Sequence, residues 1–283
     1  MNAVLILLLV AAAVASAAEP RRFYHSSIGI KEAARIKKAE DALRHVGARV
    51  VGGVAAPIGA HPYFGGLLIT LLGGYTSVCG SSLISYNRAL TAAQCWYDGQ
   101  IAGHEVTVVL GSNYLFHGGL RVLSRDVIMH EQWDPLRNVN DIAIINMPYV
   151  PMSNYIQPIR LPSNNYDTFV GVNAQLSGFG YTDDERPITA NQYLSHVNLP
   201  VISNEVCASY FPAYIFSSNI CTSGDGGKGP CISDVGGPLT TYSYGQRVLI
   251  GVAQFTSVFG CQAGFPAAYS RVSYYLPWIQ RYL

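Results

Sequence analysis

The chain has 283 residues, 49% hydrophobic and 12% charged, with a formal net charge of +1. That composition supplies ample material for a packed core and excludes a disordered polyelectrolyte. The charge is uneven: eight Lys/Arg stand against four Asp/Glu over residues 18–49, a surplus of +4, and ten against thirteen over 50–283, a deficit of −3. The larger part is therefore mildly acidic, with no basic stripe to support nucleic-acid binding.

In chain order, the first element is an apolar run, Val4-Leu5-Ile6-Leu7-Leu8-Leu9-Val10, ending in Ala15-Ser16-Ala17. An apolar core of this length before an A-x-A site predicts a secretory signal peptide over 1–17 rather than a membrane span. No later stretch reaches the ~20 apolar residues a span requires. Residues 28–46, rich in Ala, Glu, Lys and Arg, predict a short basic helix. The composition changes at Gly47-Ala48-Arg49-Val50-Val51-Gly52-Gly53. Beyond it come short β-branched and aromatic runs, among them 66–70, 105–110, 143–145 and 248–252. Turn residues punctuate them at intervals of about ten, the pattern of an all-β sandwich or barrel. Residues 274–283, with Trp278 and Ile279, predict a short amphipathic C-terminal helix.

Six cysteines, at 79, 95, 207, 221, 231 and 261, follow the signal peptide, an even number that suggests three disulfides in an oxidising compartment. Spacing alone does not choose among the pairings. No Cys-x-x-Cys or Cys/His pair at ligand spacing supports zinc. No Asn-x-Ser/Thr acceptor occurs, so N-glycosylation is not expected.

The most informative stretch is Cys231-Ile232-Ser233-Asp234-Val235-Gly236-Gly237-Pro238, which resembles the GDSGGP nucleophile loop of chymotrypsin-fold serine proteases. Leu90-Thr91-Ala92-Ala93-Gln94-Cys95 resembles the TAAHC loop of the same family. Further anchors follow in order: Arg49-Val50-Val51-Gly52-Gly53, Asp141-Ile142-Ala143-Ile144, Ser177-Gly178-Phe179-Gly180, and Arg271-Val272 before the terminal helix. From Arg49 to Leu283 the chain is similar to secreted S1-family proteases, most of all to insect digestive chymotrypsin-like enzymes and their inactive homologues. The resemblance implies two packed six-stranded antiparallel β-barrels with the cleft between them. It also implies the pairs Cys79–Cys95, Cys207–Cys221 and Cys231–Cys261, a propeptide over 18–49 and a peptidase S1-like domain over 50–283.

By the same resemblance the triad positions are Gln94, Asp141 and Val235. Acyl transfer needs a hydroxyl nucleophile, an imidazole base and an orienting carboxylate. An amide has no pKa near 7, so Gln94 cannot serve as base, and the isopropyl group of Val235 cannot attack a carbonyl. The oxyanion hole falls at Ser233 and Val235, with serine where the family has a glycine tolerant of unusual backbone angles. None of His61, His104, His117, His130 or His196 lies in a loop the family places at the cleft centre.

Arg49 and Val50 match the family's activation bond, and Asp234 matches the aspartate that pairs with the new ammonium. The specificity pocket maps to Gly229 at the floor, where no charge selects Arg or Lys, and to Gln254, Thr256 and Ala267 at its walls. Thr256 and Ala267 add bulk, so the expected pocket is shallow or plugged. Gln254 replaces a serine that lies against the catalytic aspartate in family members. The acidic loop Thr182-Asp183-Asp184-Glu185-Arg186-Pro187 is a solvated turn or a partner-docking loop.

These readings predict a secreted, catalytically inactive protease homologue, in the gut lumen rather than haemolymph. It would work by binding, as inhibitor decoy, protease regulator or cascade cofactor. The alternatives are a chymotrypsin-type endopeptidase with residual or unconventional activity, and a structural or storage protein. The expected partners are protease inhibitors or active serine proteases, besides an activating trypsin-like protease. A monomer is expected, with no cofactor, metal, nucleic acid or membrane.

Overall fold

The structure, a computed structural model, describes residues 23–46, 57–180, 194–230 and 234–283. The signal peptide, the Arg49–Val50 bond, the acidic loop at 182–187, Cys231 and Ser233 lie outside the described residues.

The first half is a sheet of β1 (Phe64–Leu71), β2 (Thr76–Ser85), β3 (Arg88–Thr91), β4 (Gly103–Leu110), β5 (Leu120–Ser124), β6 (Asp126–Met129) and β7 (Ala143–Asn146). Its order is β5-β4-β1-β2-β3-β7-β6. β4 shows why such segments become strands: Glu105 and Thr107 are partly exposed and alternate with buried Val106 and Val108, the period of two of a half-buried strand, until Val109 and Leu110 are buried on both faces where Val109 joins the cluster of Ile36 and Leu115. The second half is a closed barrel of β8 (Asn173–Gly178), β9 (Ser195–Ile202), β10 (Asn219–Thr222), β11 (Pro238–Ser243), β12 (Gln246–Phe255) and β13 (Ala267–Arg271), in the order β10-β13-β12-β11-β8-β9.

The expectation of two six-stranded barrels therefore holds by ladder closure for the second half and differently for the first. There the edge strands β5 and β6 are one residue apart, at Arg125. Two edges joined by so short a corner must curl toward each other. Counted as one bent strand, β5 and β6 make the sheet a six-stranded half-barrel that closes at a corner.

Among the described residues three α-helices flank the strands: α1 (Ile30–Val46), α2 (Asn204–Tyr210) and α3 (Val272–Gln280). α3 is the expected C-terminal helix. It packs Val272, Tyr275, Trp278 and Ile279 into the core of the first half, which ties the chain end across both halves. α1 is the predicted basic helix, but it begins earlier than the sequence suggests, through one wide π turn at His25–Gly29, and it is docked rather than free.

Cys79 bonds Cys95, and Cys207 bonds Cys221, as the resemblance implies. Cys261 is also disulfide-bonded. The first bridge ties β2 to a short 3₁₀ turn, Ala93–Cys95, and so fixes the position of Gln94.

Candidate functional site

Gln94 sits in that 3₁₀ turn, directly after β3, with Ala93 and Cys95 buried on either side. Its backbone N–H donates to Asp141 Oδ1 at 2.8 Å, and its side-chain Nε2 donates to Asp141 Oδ2 at 2.5 Å. The same Nε2 reaches the carbonyl oxygen of Gln254 at 3.2 Å. Asp141, just before β7, is completely buried, and its backbone carbonyl accepts from Ser270 Oγ at 2.6 Å. Burial pushes the Asp141 carboxyl up to about 7, against the opposing pull of N–H donors from Gln94 and Ala93. An imidazolium would hold such a carboxylate ionised. A neutral amide satisfies its hydrogen bonds but brings no charge to offset desolvation.

Val235 occupies the next position round the cleft, on the loop that leads into β11. The loop is held from both halves: Gly80 N–H donates to the Val235 carbonyl at 2.7 Å, and Gly236 N–H donates to the Ala253 carbonyl at 2.8 Å. Gly236 adopts φ +82°, and a Cβ there would lie 2.3 Å from the Gly80 carbonyl oxygen, so only glycine fits the bend. The Val235 side chain is buried against the core of the first half.

Gln94 and Val235 line one small cavity of about 40 Å³, together with Asn138, Pro230, Ala253, Gln254, Phe255, Thr256 and Ser257. The remaining wall is Tyr24 and Ile28, from the turn that opens the N-terminal helical segment. The sequence reading did not place this segment in the cleft.

The structure gathers some of the expected pocket residues and separates others. Gln254 and Thr256 line the cleft cavity. The Gln254 side chain makes its hydrogen bonds to groups other than Asp141. Its Nε2 donates to the Asn138 carbonyl at 3.1 Å, and its Oε1 accepts from Asn219 Nδ2 at 2.7 Å. Gly229 lines a different cavity of about 220 Å³, beside Asp234, Gly178, His196 and Gln262. Ala267 is buried in the core of the closed barrel with Ala253 and Tyr269. Asp234, adjacent to Val235, accepts from Gly180 N–H at 2.8 Å. A Cβ on Gly178 would fall 1.9 Å from its Oδ1, and one on Gly180 2.4 Å from its Oδ2, so the two glycines form a nest for this carboxylate.

None of the histidines lines the cavity beside Gln94 and Val235. His61 lies 3.0 Å from His196, and burial with that neighbour lowers it to about 4. His130 packs on Tyr275 and Trp278. Among the described residues, no group of three or more His, Cys, Asp or Glu is arranged to hold a metal ion, and no helix is long and apolar enough to cross a membrane.

Comparison with known proteins bears on this geometry. Residues 50–279 match the family model described as Trypsin. The chain is 39% identical over 236 residues to a collagenase of Hypoderma lineatum, covering 82% of this chain and 86% of that protein. It is 35% identical over 235 residues to brachyurin of Leptuca pugilator, covering 82% and 97%. The solved HL collagenase structure superposes with a TM-score of 0.73 at 37% identity, over 82% of this chain and 97% of that one. With a two-part β body, a cleft between its halves and a family match over residues 50–279, the chain belongs to the trypsin-like S1 serine protease family.

Proposed function

We propose that this chain is a secreted S1-family protein that binds partners and does not cut peptide bonds. One observation carries the reading: the buried Asp141 is bonded by the amide of Gln94, and the neighbouring position presents the isopropyl group of Val235. The amide of Gln94 takes up no proton near neutral pH, and the isopropyl group of Val235 is no nucleophile. Loss of the nucleophile or the base alone lowers turnover by on the order of 10⁶, and loss of both by about the same, since the triad works as a unit. The intact disulfides, the nested Asp234 and the closed barrel support a protein kept for its shape. Protease inhibitors and active serine proteases are the partner classes such a shape fits.

The opposing reading, an endopeptidase, draws on relatives that are named as proteases. Active-site titration separates the two. The protein, cut after Arg49, is treated with a labelled fluorophosphonate beside an active chymotrypsin-like enzyme. Absence of label on a folded chain is the expected result. Stoichiometric labelling would reveal an unrecognised nucleophile and overturn the proposal.

A further inference from the structure

The segment that supplies Tyr24 and Ile28 to the cavity lies with one face on the body. Its buried side chains are Tyr24, His25, Ile28, Glu32, Ala33, Ile36, Ala39 and Glu40, while Lys31, Lys37 and Lys38 face solvent. The π turn at His25–Gly29 shifts the register so that the Tyr24–Ile28 edge and the Ile36–Glu40 edge both meet the body. A Cβ on Gly29 would fall 1.9 Å from Ser77 Oγ, so the glycine permits the backbone to approach β2 closely.

Each end of the segment is recognised by polar groups of the body. The His25 backbone N–H, one of the orphan donors at the start of a helix, donates to Asp98 Oδ2 at 2.8 Å. Asp98 uses its other oxygen to accept from the N–H groups of Gln100 and Ile101, so its loop is set before the segment arrives. This carboxylate caps the segment from outside and faces the positive end of its dipole. His25 Nδ1 lies 2.9 Å from Ser77 Oγ. Tyr24 Oη donates to the Val78 carbonyl at 2.7 Å, on a stretch of β2 that β3, which pairs only from Ser82, does not cover. At the other end Glu40 accepts the N–H groups of Leu115 and Phe116 at 2.6 and 2.8 Å. Between them Ile36 is fully buried in a cluster with Phe64, Val78, Leu115 and Phe179.

We propose that residues 23–46 are an intramolecular ligand that shuts the cleft beside Gln94 and Val235, and that the groove under them is a binding site for an amphipathic helix. The helix it selects carries an aromatic residue at its head, an aliphatic residue twelve positions on and a carboxylate four positions after that, the pattern of Tyr24, Ile36 and Glu40. The segment contains no cysteine. A cut after Arg49 therefore leaves it held by these contacts alone and exchangeable with a helix of the same pattern in a partner. While the chain is uncut, tethering keeps the groove filled at an effective concentration of about millimolar. The proposal goes beyond the non-catalytic reading above and does not depend on it, since the groove is shut by the same contacts whether or not the centre reacts.

The test uses the full chain, uncut or cut once after Arg49, with the cut verified by intact mass and the fold by circular dichroism. The cut chain is passed through gel filtration, and a fluorescent synthetic peptide of residues 23–46 is titrated into each form by anisotropy. Two results support the proposal. In one, the endogenous fragment stays on the column with the body and is lost when the full chain carries Ile36→Asp. In the other, the stripped body binds the labelled peptide at least tenfold more tightly than the uncut chain does. Ile36→Asp or Tyr24→Ala in the peptide should weaken binding at least tenfold, and Lys38→Ala on the exposed face should leave it unchanged. Binding of the peptide by the uncut chain as tightly as by the stripped body, indifference to Ile36→Asp, or a cut chain that neither retains its fragment nor binds the peptide would overturn it. None of these outcomes depends on fluorophosphonate labelling, so a failure here is distinct from a failure of the non-catalytic reading.

Discussion

Asp234 and Val235 are neighbours in sequence, and their surroundings constrain them in opposite ways. Asp234 sits in a nest that only two glycines can form, with its carboxylate on the Gly180 N–H. Val235, which the motif resemblance sets at the nucleophile position, is held by backbone bonds that do not depend on the side chain, since it is the Val235 carbonyl that receives Gly80 N–H. The same contrast separates Asp141, wholly enclosed, from Gln94, which supplies donors that several side chains could supply. A position held through its own backbone leaves the fold largely indifferent to its side chain, whereas a carboxylate fitted against backbone does not.

The largest effect that would sharpen this contrast is chemical. If the frame is intact, the triple variant Gln94→His, Val235→Ser, Ser233→Gly, cut after Arg49, should be labelled stoichiometrically by a fluorophosphonate. Each single reversion should stay at background, because the triad acts as a unit. An unlabelled but folded triple variant would mean that the cleft has drifted along with its reacting groups.

The next effect is on stability and tests the nest. Gly178→Ala places a methyl 1.9 Å from Asp234 Oδ1, so the carboxylate or a strand of the closed barrel must move. The expected cost is about 3 kcal/mol or more, read as a lowered urea midpoint. Val235→Ser alone should cost only about 1 kcal/mol. Equal costs for the two would break the comparison.

Much of this was legible before the structure. The strands were visible because Val, Ile and aromatic runs between turn residues carry a period that burial on one face imposes, as at Val106, Val108 and Leu110. Gln94, Asp141 and Val235 were legible because their motifs are continuous in sequence, and the structure brings Gln94 to Asp141. The positions of Gly229 and Ala267 were not, because a pocket wall depends on which way each strand residue points, and one register step exchanges core for cavity. Least legible was the docking of the N-terminal segment. Ile36 and Glu40 share a face by their spacing of four, but nothing in the sequence signals the π turn that brings Tyr24 and Ile28 to the cavity, and a buried Glu40 reads in sequence as an ordinary solvated charge.

A third prediction isolates what Gln94 does for Asp141. Gln94→Leu removes the side-chain donor and leaves Oδ2 of a buried carboxyl without it. At pH 8 this should cost about 2–3 kcal/mol in urea unfolding. The cost should shrink toward pH 4, where Asp141 is protonated in both proteins.

The smallest effect follows from the same carboxyl. Burial raises Asp141 from its ordinary 3.8 to about 7, so the folded chain holds this proton more tightly than the unfolded chain does. Stability from this group is therefore full below about pH 4, falls as pH rises from about 4 to about 7, and is lowest above that. The upper bound of the loss is about 4 kcal/mol, and relaxation around the group should reduce it. Asp141→Asn removes the titration. The variant's Oδ1 can still accept the Gln94 N–H, and its amide can pair with the Gln94 side chain turned end for end. It should match the parent near pH 4 and exceed it by about 1–2 kcal/mol at pH 8. His61 works in the other direction: held at about 4, below its ordinary 6.5, it withdraws stability as pH falls through that window. Both proteins carry His61, so it cancels in the difference between their urea midpoints measured from pH 4 to 8. A difference that stays flat across that range would show that Asp141 is ionised when buried, and that the amide of Gln94 holds a carboxylate as well as an imidazolium does.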